Sequence, residues 1–88
     1  MGEPLSVMQF PMDFPIKIMG KRVDRFADEI AALVKVHAPA FDPATLEMRA
    51  SRNGNYLSVT ATIRAESRPQ LDALYRELSS HPLVTLVL

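Results

Sequence analysis

From Tyr56 to Ala65 apolar and polar side chains alternate strictly: Leu57, Val59, Ala61, Ile63 and Ala65 on one side, Tyr56, Ser58, Thr60, Thr62 and Arg64 on the other. A two-residue period predicts a half-buried antiparallel strand with one covered and one open face. Asn53-Gly54 just before it supplies the positive φ angles of a tight hairpin turn. Its partner is predicted over about 45–51, with Leu46, Met48 and Ala50 on one face. A second alternation, Phe14, Ile16 and Ile18 against Pro15, Lys17 and Met19, predicts an earlier strand ended by Gly20. Pro15 suits its first residues.

Between these strands the period changes. Val23, Phe26, Ala27, Ile30, Leu33, Val34 and His37 recur every three or four residues, which predicts an amphipathic helix over 23–37, stopped by Pro39. Phe41-Asp42-Pro43 reads as a turn. Ser67 and Gln70 have capping-box spacing, with Pro69 in the first turn of a second helix whose buried stripe is Leu71, Leu74, Tyr75 and Leu78. Leu83–Leu88 is the last strand. Residues 1–13, with Pro4 and Pro11 and no period, read as an N-terminal arm anchored by Phe10 and Phe14, ahead of one domain over 14–88.

The order β-α-β-β-α-β specifies an α+β ferredoxin-like sandwich. Right-handed crossovers put both helices on one face of a four-stranded antiparallel sheet of order 4-1-3-2. The second and fourth strands are then the edges.

Composition narrows the function classes. The chain has 88 residues, with Lys plus Arg equal to Asp plus Glu at 10 each, so it lacks the basic excess of a nucleic-acid binder. The absence of cysteine excludes disulfides, thiolate metal sites and thiol nucleophiles, and fits a reducing cytoplasm. Glu3, with no basic region before an apolar run, does not match a signal peptide, and no apolar run approaches the roughly 20 residues of a bilayer span. No membrane or nucleic-acid partner is expected.

Candidate chemistry is sparse. His37 and His81 each stand where a helix ends before a proline, a place for an imidazole to meet terminal carbonyls and the helix dipole; no second ligand lies close in sequence, so no metal site is assigned. Ser51, Ser58, Thr60 and Thr62 have no evident neighbouring base, so no catalytic residue and no cofactor are assigned. Two alternatives share the topology. An acyl-phosphate hydrolase would need an arginine after the first strand, where Lys21 and Arg22 stand, but the rest of its motif is missing. An RNA-recognition domain would need aromatics where Lys17, Met19, Ser58, Thr60 and Thr62 face outward; Arg49, Arg52 and Arg64 would supply its only basic patch.

Two features remain. The loop Gly20, Lys21, Arg22 leads into a helix N-terminus, where backbone N–H groups can receive a small anionic ligand; the simpler role for Gly20 is a turn. The last strand, with Val84, Leu86 and Leu88 alternating, carries no charge, unlike most free edges, and so points either to cover by the N-terminal arm or to self-association or a protein partner. The simpler alternative is an open-face patch of Leu83 and Val87 with Met19.

Four segments together resemble the YbeD-like family of small bacterial proteins: Phe14-Pro-Ile-Lys-Ile-Met-Gly20, Val36-x-His-Ala-Pro39, Ser51-x-x-Gly-Asn-Tyr-x-Ser-Val59 and Leu74-Tyr-x-Glu-Leu78. The agreement runs from about Phe10 to Val87-Leu88. The resemblance implies a ferredoxin-like fold similar to ACT regulatory domains, and a regulatory role linked to lipoic acid metabolism. It carries over no catalytic residue. The expectation is a non-enzymatic regulatory or adaptor module of the bacterial cytoplasm.

Overall fold

The computed structural model describes residues 9–88. Its elements are β1 (Met12–Lys21), α1 (Phe26–His37), β2 (Glu47–Ala50), β3 (Tyr56–Ala65), α2 (Arg68–Ser80) and β4 (Val84–Val87). The sheet order β2-β3-β1-β4 is antiparallel throughout, as the βαββαβ pattern requires. β1 and β3 pair over their full ten residues, from Met12 opposite Ala65 to Lys21 opposite Tyr56. The alternating positions of these two strands meet the apolar stripes of the helices: Ile16, Ile18, Val59 and Ile63 pack with Phe26, Ile30, Val34, Leu74 and Leu78, all essentially without solvent contact.

Local chemistry explains the helix boundaries. Ser67 caps α2 by accepting the Gln70 N–H, and the Gln70 side chain accepts from Glu66 N–H, one residue before the cap. The same amide donates to the His37 carbonyl, so it also ties α2 to the end of α1. α1 starts at Phe26 and not at Val23. The segment before it closes on itself, with Val23 N–H on the Lys21 carbonyl and Phe26 N–H on the Val23 carbonyl, and Val23 is left exposed.

Several boundaries differ from the sequence expectation. β1 starts at Met12, so Met12 and Asp13 lie in the sheet; residues 1–8 of the expected arm lie outside the described residues. β1 also runs through Gly20 to Lys21 instead of ending at the glycine. A Cβ on Gly20 would lie 2.3 Å from the Leu83 carbonyl oxygen and 2.4 Å from the Phe26 ring. Gly20 is therefore a close-approach residue that lets β4 and α1 meet β1. Pro15 is tolerated within the strand because its nitrogen points to the β4 side. Lys17 and Leu88 exchange backbone hydrogen bonds there, and β4 ends before reaching Pro15.

β2 is shorter than expected because Pro43–Thr45 form a 3-10 turn, capped by the Asp42 carboxylate accepting Ala44 N–H at 3.0 Å. The hairpin is not a two-residue Asn-Gly turn either. Ser51 N–H donates to the Tyr56 carbonyl across a four-residue loop, and only Gly54 takes positive φ, at 79°. Asn53 contributes its side chain instead, accepting from Asn55 N–H and Ser51 Oγ–H.

β4 departs from simple alternation. Met19 lies opposite Leu86 but Gly20 lies opposite Val84, so Thr85 is an extra residue, a bulge held by its hydroxyl on the Met19 carbonyl at 3.0 Å. The bulge turns Val84 toward the helices and leaves Leu86 and Leu88 on the open face. Leu83 is buried in the core and Val87 lies opposite Ile18, on the helix side. The expected patch of Leu83 and Val87 beside Met19 therefore does not form; Leu86 and Leu88 take those places.

Candidate functional site

Helices cover one face of the sheet; among the described residues no element covers the other. Cross-strand register arranges the open face in rows. Leu88, Lys17, Thr60 and Glu47 form one row; Leu86, Met19, Ser58 and Arg49 form the next. Each row passes from apolar at β4 to charged at β2. Tyr56 and Lys21 face each other at one end, and Thr62 and Pro15 lie on the other side of the two rows. Beyond them Arg64 pairs with Asp13 at 3.2 Å.

Three shallow cavities lie along these rows. One of about 330 Å³ is bounded by Lys17, Glu47, Arg49, Ser58 and Thr60. A second, of about 170 Å³, shares Lys17, Arg49 and Ser58 and adds Met19 and Tyr56. A third, of about 400 Å³, lies over Met19, Tyr56, Thr85 and Leu86. Together they make a trough, polar at β2 and apolar at β4.

The loop after β1 is arranged differently. Lys21 belongs to β1, and its N–H donates to the Leu83 carbonyl at 3.0 Å. Arg22 N–H donates to the Asn55 carbonyl, and the Arg22 guanidinium to the Gly54 carbonyl at 3.4 Å. Val23 and Phe26 N–H are bonded within the loop, and Arg22 joins it to the β2–β3 hairpin.

The two histidines brace the helices against each other. His81 Nδ1 accepts Leu83 N–H at 3.1 Å, so Nε2 carries the proton and donates to Glu29 of α1 at 2.9 Å. His37 at the end of α1 bonds Glu77 of α2. Each imidazole thus meets a carboxylate of the opposite helix, in place of the carbonyls expected from its terminal position. On the helix side an apolar cavity of about 310 Å³ lies between Phe14, Leu71 and Tyr75, with the Arg68–Asp72 pair at its rim. Tyr75 meets Phe14 edge-on and donates to the Leu88 carbonyl at 3.2 Å; burial raises its phenol above the usual 10.0. Among the described residues no helix is long and apolar enough to cross a membrane.

Sequence reasoning placed Lys17, Met19, Ser58 and Thr60 on the open face, but it grouped Arg49 with Arg52 and Arg64. The register instead sets Arg49 beside Ser58, diagonal to Lys17, and Arg64 is taken by Asp13. Glu47 had not been singled out. Its signal was its two-residue spacing from Arg49, which puts both on one face of β2.

Known proteins agree with this architecture. A protein from H. pylori solved in solution superposes with a TM-score of 0.75 at 15% identity, covering 92% of this chain and 85% of that one. The ACT domain of a GTP pyrophosphokinase from Chlorobium tepidum gives 0.59 at 18% identity, over 88% and 97% of the two chains. In sequence, a UPF0250 protein of Nitrosomonas europaea is 55% identical over 94% of this chain and 95% of its own length. One from Bordetella parapertussis is 53% identical over 94% and 91%. These are the YbeD-like relatives that the four segments pointed to. The family model described as "Protein of unknown function (DUF493)" matches residues 6–88, and the chain belongs to that family.

Proposed function

We propose that this protein is a non-enzymatic regulatory or adaptor module of the bacterial cytoplasm, working by association with a second copy or another protein along β4 and the adjoining open face. The observation that carries this is the uncharged edge: Leu86, beside Met19, and Leu88, just beyond the strand, are 48% and 61% exposed, and β4 has no lysine, arginine, aspartate or glutamate. The ACT domain that this fold resembles is part of a GTP pyrophosphokinase, which supports a regulatory role. The YbeD-like resemblance supports lipoic acid metabolism as its setting. Against the acyl-phosphate alternative, the Arg22 guanidinium donates to the Gly54 carbonyl at 3.4 Å, and the rest of that enzyme motif is missing from the sequence. The open face has no aromatic stacking platform for RNA beyond Tyr56 at its end.

Photo-cross-linking in bacterial cells tests the association. A photoreactive residue at position 86 is expected to capture a second copy or a discrete partner, and one at position 48 on the opposite edge is not. Equal capture at both positions, or none at 86, refutes the proposal.

A further inference from the structure

We propose that the open face holds a binding site for a monocarboxylate with an apolar body, its carboxylate over Ser58 between Lys17 and Arg49. The two cations lie diagonally across β3, with neighbouring strands about 4.8 Å apart, so both long side chains can reach one anion above that strand. They bound the same two cavities. Elsewhere Arg25, Arg64 and Arg68 are paired with carboxylates and Lys35 and Arg22 with backbone carbonyls; Lys21, Arg52 and Arg76 also lack a side-chain partner among the described residues but bound neither cavity. Among the described residues no ion pair or side-chain hydrogen bond engages Lys17 or Arg49. The half-buried hydroxyls of Ser58 and Thr60 are likewise without a side-chain partner and are available to donate to an oxyanion.

Charge and shape set the ligand class. Among the side chains that bound the first cavity, Lys17 and Arg49 with Glu47 sum to a single positive charge, which a monoanion neutralises; Lys21 lies farther along the face, opposite Tyr56. A dianion would face the Glu47 carboxylate with charge to spare. The second cavity continues from the cations to Met19 and the Tyr56 ring, which gives an apolar body a surface to lie on. The site does not depend on the association proposed above.

Amide chemical shifts followed by NMR test this, with phenylacetate as the probe and acetate and sulfate as comparisons. Phenylacetate is expected to give saturable shifts at Lys17, Arg49, Tyr56 and Ser58, more tightly than acetate, with sulfate weakest. Lys17→Ala and Arg49→Ala should each weaken phenylacetate about five-fold, the scale of an exposed charge contact. Both are surface changes and should leave the rest of the spectrum in place. Glu47→Gln should raise sulfate affinity relative to phenylacetate. Non-saturable shifts, binding untouched by either alanine variant, or sulfate binding as tightly as phenylacetate in the wild type would overturn the assignment.

Discussion

The two edges of the sheet solve the same problem in different ways. β2 and β4 are each four residues long, and each pairs with one neighbour. β2 carries Glu47 and Arg49, charged side chains that disfavour pairing with another strand. β4 has no charge at all, and its protection is the bulge at Thr85. The helix sides differ too. Met48 on β2 is 61% exposed, whereas Val84 and Val87 on β4 pack against the core. β4 is thus well anchored to its own domain and poorly defended against others. An anchored strand with exposed leucines is a suitable docking element, because an incoming chain would not have to order it first.

Gly20→Ala tests the anchoring most severely. The new methyl would have to displace the Leu83 carbonyl or the Phe26 ring, and the expected cost is about 3 kcal/mol, at the upper end of overpacking effects. Urea unfolding would show it as a large fall in midpoint; an unchanged midpoint would mean that β4 is not seated as described. Leu86→Lys and Met48→Lys compare the edges directly. Each should alter stability by less than about 0.5 kcal/mol, as exposed substitutions do. Sedimentation should show association lost only in the Leu86 variant, and equal behaviour would erase the distinction between edges.

Thr85→Val removes the hydroxyl that holds the bulge while keeping the shape of the side chain. A loss of about 1 kcal/mol is expected from the missing bond to Met19, read by thermal unfolding. The smallest effect concerns Tyr75, which links α2 to Leu88 beyond the end of β4. Its phenol binds a proton more tightly in the folded state than in the unfolded one. Stability is therefore unaffected below pH 10.0 and falls as pH rises through the raised value. Tyr75→Phe should remove that alkaline fall, and an identical pH profile in both proteins would discount the burial of the phenol.

The parts of the fold legible in the sequence were those coded by near neighbours. The alternation in 56–65 and the three-four spacing in 26–37 each reflect the geometry of one element, which needs no partner to be read. The Ser67 cap is local in the same way. The Gly20 loop was harder to read. A glycine between an apolar strand and a helix suggests a turn, but here its missing side chain serves a carbonyl and a ring from two distant segments. The contact of Arg22 was hidden for a similar reason, because it reaches the hairpin more than thirty residues away.

The sequence by itself determined the order of elements, the covered and open faces of β1 and β3, and the lack of charge on the last strand. Tertiary structure decided which side chains share a row. A strand's own period says which residues lie on one face, but the residues opposite depend on register, and a one-residue bulge reverses the remaining positions. Thr85 is that residue: it sends Val84 toward the core and Leu86 to the open face. Register likewise brings Lys17, Ser58 and Arg49 together from three strands, a meeting fixed by backbone hydrogen bonds between segments far apart in the chain.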